Sequence, residues 1–209
     1  MKTGKQIAVL GAGGFSAEVV DAAELAGWTV TALYDDDETA EGRVVMGRMW
    51  LGTISDFAQG EKAAYILAIG NNEARQRLDT QLTIAGHVAI VLIDPRSNVS
   101  RSAVISPGAY VAAGAFVGPQ AKIGRHAIVN VSASIGHDAI LADWTQVCPG
   151  ARVSGFGVLA EGAFMGSNAV LGPHGVMGEW SKLGAASFAN RTVAARSLAV
   201  GVPARSVTI

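Results

Sequence analysis

The sequence has little of what marks several large protein classes. It carries a single cysteine, Cys148, which rules out an internal disulfide and suits a reducing cytoplasm. Charged residues are only 16% of the chain and the formal net charge is -1, so no basic field is available to hold nucleic acid or an anionic membrane surface. No apolar run approaches the roughly 20 residues needed to span a bilayer. The opening MKTGKQIAVLGAGG joins a basic start to a short apolar run that stops at glycines, which predicts a first strand and not a signal peptide. Aromatic residues make up only 6%, whereas half of the 209 residues are hydrophobic and 26 are glycine. Such a chain can bury a substantial core in one large domain or two small ones. Its bias toward small residues indicates close backbone packing.

A repeat explains that bias. From Val99 to Leu183 every sixth residue is aliphatic, through Val111, Val117, Ile123, Val129, Ile135 and Leu141 to Leu171 and Met177. Four places after each comes a small residue, from Ala103, Ala109 and Ala115 to Gly175, Ser181 and Ser187. Neither column is broken over fifteen consecutive hexads. Period six fits neither an amphipathic helix nor a lone strand. It fits a solenoid in which each hexad makes one short flat side and one turn. Three sides close a triangular coil, so residues eighteen apart stack at strand spacing, roughly 4.8 Å. The aliphatic column points inward and the small column fits the corners. The period is silent on handedness, and the general crossover rule would favour a right-handed coil.

Before the repeat the pattern is different. Residues 6–10 (QIAVL) read as a buried strand, followed by the turn GAGGFS and a helix near residues 17–26. A second strand over about 29–34 ends in Asp35-Asp36-Asp37. A third, residues 64–70, precedes a helix from Asn71 to about Ala85, with Asn71 or Asn72 as N-cap. A fourth, about 88–93, stops at Asp94-Pro95. Strands alternating with helices predict a small parallel α/β domain over residues 1–96, with the all-β coil over 97–209. Gly11, Gly13 and Gly14 make a tight turn into a helix N-terminus, where backbone N–H groups and the helix dipole suit a diphosphate. Asp35 closes the second strand about twenty residues later, where a dinucleotide-binding unit places its ribose acid.

Taken together, GAGGFSAEVV at 11–20, YDDD at 34–37, AIGNNEARQRL at 68–78, NVSASIGHDAIL at 130–141 and GVPAR at 201–205 make the chain resemble the bacterial sugar acetyltransferases of the PglD/NeuD type. These are hexapeptide-repeat enzymes with a small N-terminal nucleotide-sugar domain. The resemblance implies a Rossmann-like α/β half domain followed by a left-handed parallel β-helix, assembled as a homotrimer with active sites between neighbouring subunits. It implies acetyl-CoA as co-substrate, no metal, and a nucleotide-linked amino sugar, UDP-linked, as acceptor. Some members of the family acetylate a sugar hydroxyl instead, as in sialic acid.

Acyl transfer to an amine needs a base with a pKa near working pH, which suits histidine. Of the four histidines, His87 lies outside the repeat and His126, His137 and His174 lie within it. Only His137 sits in the family signature SIGHDA. The resemblance assigns it as general base, Asp138 as its acidic partner, and Asn130 as a residue that orients acceptor or acetyl group. Gly155, eighteen residues beyond His137, matches a glycine whose N–H meets the thioester carbonyl. Gln146, Ser167 and Ala185 match positions that contact CoA along the coil, the last two through backbone. Gln146 replaces a histidine common in the family. In the N-terminal domain the resemblance places Gly13, Gly14, Phe15, Asp35, Asp36 and Gly70 at the sugar nucleotide. Phe15 stands where the family often has histidine, and phenylalanine donates no hydrogen bond there. Cys148 reads as packing beside Val147, with no histidine at a spacing that would activate it.

Three other readings compete. An NAD-dependent oxidoreductase would use the GAGG turn and Asp35 but leaves the hexads unexplained, and the third glycine of the dinucleotide fingerprint is missing. A metal-dependent β-helix hydratase would need three converging histidines, and the repeat histidines show no close pair at suitable spacing. A catalytically silent sugar-nucleotide-binding protein would share every feature except turnover.

Overall fold

The structure, a computed structural model, describes residues 5–207; the basic opening and the last two residues lie outside them. The chain forms two compact units, one ending at Pro95 and the other beginning at Arg96.

The first unit contains β1 (Lys5–Leu10), α1 (Gly14–Leu25), β2 (Trp28–Tyr34), β3 (Val44–Val45), β4 (Arg48–Gly52), α2 (Ile54–Gln59), β5 (Ala64–Leu67), α3 (Asn72–Ala85) and β6 (Val88–Ala89). Its sheet runs β3-β4-β2-β1-β5-β6 and is parallel except for the β3–β4 hairpin at the edge. Alternation along β1 builds two cores. Ala8 and Leu10 join Ile54 and Phe57 of α2, Tyr65 and Leu67 of β5, and Leu78 and Leu82 of α3. Ile7 and Val9 are equally buried on the opposite face, and α1, which packs on β1 and β2, buries Val19, Val20, Ala22 and Ala23. The first unit thus makes three layers.

The helices start where their caps allow. Asn71 Oδ1 accepts from the Ala74 N–H at 2.8 Å, and Gly86 ends α3 in the left-handed conformation. Thr53 and Asp56 form a capping box around the start of α2. Hydrogen bonds from the Thr53 backbone N–H, then from its hydroxyl, hold the Asp56 carboxyl below the ordinary carboxylate range. Three elements differ from expectation. The first helix starts at the glycines themselves, the third strand ends at Leu67, and the fourth splits into Val88–Ala89 and Leu92–Ile93. The β3–β4 hairpin had no sequence signal, because Val44, Met49 and Leu51 are exposed and set up no burial period, and the six-residue α2 is too short to show one.

The second unit is a left-handed parallel β-helix. Its sides are two-residue strands paired in parallel with partners eighteen residues on. Tyr110–Val111 pairs with Ile128–Val129, Phe116–Val117 with Ser134–Ile135, and Lys122–Ile123 with Ile140–Leu141. The inward column from Val111 to Leu183 is buried, as is the small column from Ala109 to Ser187. Val99 and Ile105, on the first coil, are only half-buried. An antiparallel hairpin of Leu198–Gly201 and Ala204–Val207 carries the GVPAR segment at the far end.

The corners are type II turns. In nearly all of them the N–H of the small residue donates to the carbonyl three residues back, as in Ala121 to Gly118, Ala139 to Gly136 and Gly157 to Ser154, and at Thr145 the hydroxyl donates to the Ala142 carbonyl. Such a turn needs positive φ at its third residue. Every sixth residue from Gly108 to Ala186 has it, including Asp138, Trp144, Phe156 and Trp180. Proline favours the second place of this turn, and Pro107, Pro119, Pro149 and Pro173 sit there. At other corners the second turn residue keeps a backbone N–H, which side chains take up at Arg125 (by Asp143) and Val131 (by Asn130), and which has no partner among the described residues at Gly155, Ser167 and Ala185.

Candidate active site

One corner of the coil stacks the turns 118–121, 136–139, 154–157 and 172–175. His137 and Asp138 are the second and third residues of one of these turns, so the backbone splays them outward side by side. His137 Nδ1 lies 2.9 Å from Asp138 Oδ2, and the two side chains are 59% and 35% exposed. A carboxylate can only accept, so Nδ1 donates, and in the neutral imidazole Nε2 keeps its lone pair. The imidazole leans over the next coil. A Cβ built on Gly155 would come within 2.7 Å of Nε2 and 2.8 Å of Cε1, so only glycine fits beneath the ring. Gly155 is the second residue of its own turn, and its N–H makes no hydrogen bond among the described residues. The basic nitrogen and a residue with an unused N–H thus sit on neighbouring coils of one corner. That pairing can take a proton from a nucleophile and hold the oxygen of an attacked carbonyl.

Two further aromatic rings complete this corner. The Phe156 ring centroid is 5.2 Å from that of His137 at 90°, and 4.9 Å from that of His174 at 5°. A groove running along the adjoining side is lined by Ser102, Val104, Gln120, Lys122, Asp138, Ile140 and Phe156.

Asn130 lies on a different corner, at the other end of the side Ser134–Ile135, and its Oδ1 accepts from the Val131 N–H at 2.7 Å. Ser167 and Ala185 share that second corner, stacked eighteen residues apart and both exposed. Each is the second residue of its turn, and neither backbone N–H has a hydrogen-bond partner among the described residues. Two donors spaced by one coil suit an extended chain bearing amide carbonyls. Gln146 belongs to a strand and not to the corner; it is 8% exposed, with its amide 3.6 Å from Cys148 Sγ. Of the other repeat histidines, His126 is buried over Gly108. His87 packs within the first unit: Nδ1 accepts from Ala63 N–H, Nε2 donates to the Ala58 carbonyl, and the ring lies on Phe57. Among the described residues no group of three or more His, Cys, Asp or Glu side chains is disposed to hold a metal ion.

In the first unit the candidates gather at the carboxyl ends of β1, β2 and β5. The chain leaves β1 toward β2 on one side and later returns to β5 on the other. The crevice between β1 and β5 is therefore a switch point, where open α/β sheets take ligands. Gly11, at φ +114, brings the two loops together; a Cβ there would lie 2.5 Å from the Ala68 carbonyl oxygen. Gly13, Gly14 and Gly70 have open space beside them. Phe15 lies half-buried in the first turn of α1. Asp35 Oδ2 accepts from the Ala12 N–H at 2.6 Å and Oδ1 from the Asp37 N–H at 2.9 Å. Asp36 Oδ1 accepts from the Ile54 N–H at 2.8 Å. Both carboxylates therefore help to build the crevice wall.

Two arginines in this wall were missed by the sequence reading. Arg43 donates to the Ala12 carbonyl at 2.8 Å, so Ala12 is held through its carbonyl by Arg43 and through its N–H by Asp35. Arg75, 1% exposed, donates to the carbonyls of Ile69 and Gly70 at 3.0 and 3.1 Å and to Asn72 Oδ1 at 3.0 Å. A buried arginine in a helix otherwise rich in polar residues carries no periodic signal.

A hexapeptide-repeat β-helix preceded by a switch-point α/β unit defines the class of protein. Residues 6–82 match the family described as the PglD N-terminal domain, and the likeness to the PglD/NeuD type extends over the whole chain. A perosamine N-acetyltransferase variant from Caulobacter crescentus, solved with CoA and GDP-perosamine, is 28% identical with a TM-score of 0.91, covering 98% of this chain and 97% of its own. The acetyltransferase domain of PglB from Neisseria gonorrhoeae, solved with acetyl coenzyme A, is also 28% identical at TM-score 0.91, covering 97% and 99%. WeeI from Acinetobacter baumannii, 23% identical over 97% of this chain and 100% of its own, shares the fold at TM-score 0.87. Compared by sequence, no curated protein matches the chain. Among the described residues no helix is long and apolar enough to cross a membrane.

Proposed function

We propose that this protein is an acetyl-CoA-dependent N-acetyltransferase whose acceptor is an amino sugar carried on a nucleoside diphosphate. The observation that carries this reading is the His137 corner, where an imidazole oriented by Asp138 overhangs the unused N–H of Gly155. The neighbours solved with CoA, acetyl-CoA and GDP-perosamine support it.

In the reaction the neutral sugar amine attacks the thioester carbonyl, and Nε2 of His137 takes the proton the nitrogen sheds. The carbonyl oxygen gains negative charge and accepts from Gly155 N–H. Collapse of this adduct breaks the carbon–sulfur bond and releases the thiolate of CoA, which is protonated by the imidazolium. Asp138 keeps Nδ1 protonated throughout, so the base always presents Nε2. Asn130 orients the acceptor or the acetyl group.

The first unit binds the sugar nucleotide, with Gly13 and Gly14 at the diphosphate, Phe15 beside it, and Gly70, Asp35 and Asp36 lining the remainder of the crevice. The nucleotide is UDP. The C-terminal unit carries the acyl transfer, and Gln146, Ser167 and Ala185 serve the CoA. Ser167 and Ala185 occupy one corner of the coil and His137 another, so a single coil does not lay a pantetheine arm against its own imidazole. A homotrimer in which each subunit's CoA corner faces a neighbour's His137 removes that difficulty. The enzyme works in the cytoplasm, where its acyl donor is made.

The test is a screen of UDP- and GDP-linked amino sugars with acetyl-CoA, read by thiol release and product mass. One acetyl gained per CoA released is expected for at least one of them. Binding of nucleotide sugars with no thiol release from any of them would leave a silent binding protein. Turnover confined to hydroxyl acceptors such as sialic acid would replace N- by O-acetylation. Light scattering should give three times the chain mass of 21.4 kDa.

A further inference from the structure

The aromatic column on the catalytic corner has no role in the reaction as written above. Phe156 stands where a type II turn demands positive φ, at +59°, and a bulky side chain in that region is uncommon and strained. Glycine, asparagine and aspartate meet the same demand easily, and Gly150, Asn168 and Asp138 do so at equivalent places. The Phe156 side chain is not sheltered in return, since the residue remains 46% exposed. Its ring instead lies between two imidazoles, parallel to His174 and perpendicular to His137.

His137 needs such a neighbour. Its side chain is 59% exposed, and its one hydrogen bond, through Nδ1 to Asp138, fixes a single point of the ring. Rotation about that bond would swing Nε2 away from the Gly155 N–H. The seat over Gly155 bounds the motion from below, and a perpendicular ring at 5.2 Å bounds it from the side in the geometry aromatic pairs prefer. The parallel His174 ring, stacked on Phe156 and one coil further on, in turn keeps Phe156 from tilting outward.

We infer that Phe156, backed by His174, is a positioning residue that holds the His137 imidazole with Nε2 aimed at the reacting centre. This rests on the acetyltransferase reading. It adds a residue that acts on turnover through the base.

The test compares Phe156→Leu, Phe156→Trp, Phe156→Asn, His174→Phe and His174→Ala. In acetyl transfer to GDP-perosamine, or to whichever nucleotide amino sugar turns over in the screen, Phe156→Leu should lower kcat by about tenfold or more, as small misplacements of a catalytic group do. KM for both substrates should stay within about twofold, and Phe156→Trp should recover most of the loss. Phe156→Asn relieves the strained turn, so it should keep or raise the melting temperature while losing kcat, a combination that a merely structural role would not give. His174→Phe preserves the stack and should remain near wild type, whereas His174→Ala should lose activity.

Carbon-13 relaxation of the His137 Cε1–Hε1 group, measured on the free protein, reads the same effect without turnover: ordered in the wild type, mobile in Phe156→Leu. Wild-type kcat in Phe156→Leu, a change confined to KM, or an equally ordered imidazole in that variant would overturn the assignment. If no acceptor turns over even in the wild type, the acetyltransferase reading fails while the relaxation measurement still decides the positioning role.

Discussion

The His137 ring rests on Gly155, with Nε2 2.7 Å from where a Cβ of that residue would stand. The two are eighteen residues apart in sequence and adjacent only because one turn of the coil separates them. The contact gives this glycine two duties at once. It leaves space for the imidazole, and it presents a backbone N–H beside the basic nitrogen. Its own φ does not fall in the left-handed region, so it is close approach and not turn conformation that demands glycine here.

Gly155→Ala is therefore expected to fold normally yet push the imidazole aside. Turnover should fall by about a hundredfold, the scale of a 1 Å misplacement at a reacting centre. Steady-state kinetics alongside thermal melting check this. Wild-type kcat with an unchanged melting temperature would mean that the ring does not need this seat.

His137→Ala removes the base and should lower kcat by roughly 10²–10⁴, the usual share of a positioned general base. Nucleotide-sugar binding, measured by calorimetry, should be unchanged, because the sugar nucleotide is assigned to the first unit. Asp138→Asn keeps the left-handed turn residue, which asparagine tolerates, but lets Nδ1 lose its fixed proton. Its loss of kcat should be smaller than that of His137→Ala and should not exceed it.

In the first unit, Asp35→Ala leaves the Ala12 and Asp37 N–H groups without their acceptor and loosens the glycine loop. Arg75→Met releases the carbonyls of Ile69 and Gly70. Each change should cost about 1–3 kcal/mol, the penalty for orphaned polar groups, and weaken nucleotide-sugar binding with little effect on KM for acetyl-CoA. Titration calorimetry of both ligands separates these effects. Weakened acetyl-CoA binding alone would contradict the assignment.

Ala151 is fully buried in a corner of the coil. Ala151→Leu should destabilise the protein by about 1–3 kcal/mol through overpacking, seen as a lower denaturation midpoint. Tolerance of leucine there would remove the reason given for the small column.

The coil was legible in the sequence because each hexad meets the same surroundings as the last. Val129, Ile135 and Leu141 report burial by their spacing alone, and Ala133 and Ala139 report corners the same way. The strands of the first unit were legible for a similar reason, since β1 and β5 are nearly all apolar. The β3–β4 hairpin left no trace, for its hydrophobic residues face solvent and obey no period.

Sequence by itself determined the solenoid, its inward and corner columns, and the α/β unit before it, since these follow from local periods and local turns. Only the tertiary structure decided which groups meet. The His137 seat on Gly155, the Phe156–His174 stack and the placement of Ser167 and Ala185 on another corner arise from pairs one coil or one side apart. The ties from Asp35 and Arg43 to Ala12, and from Arg75 to the Gly70 loop, likewise join segments that no short window contains. Such contacts depend on side-chain direction once the backbone is closed, and a one-dimensional pattern carries no record of direction.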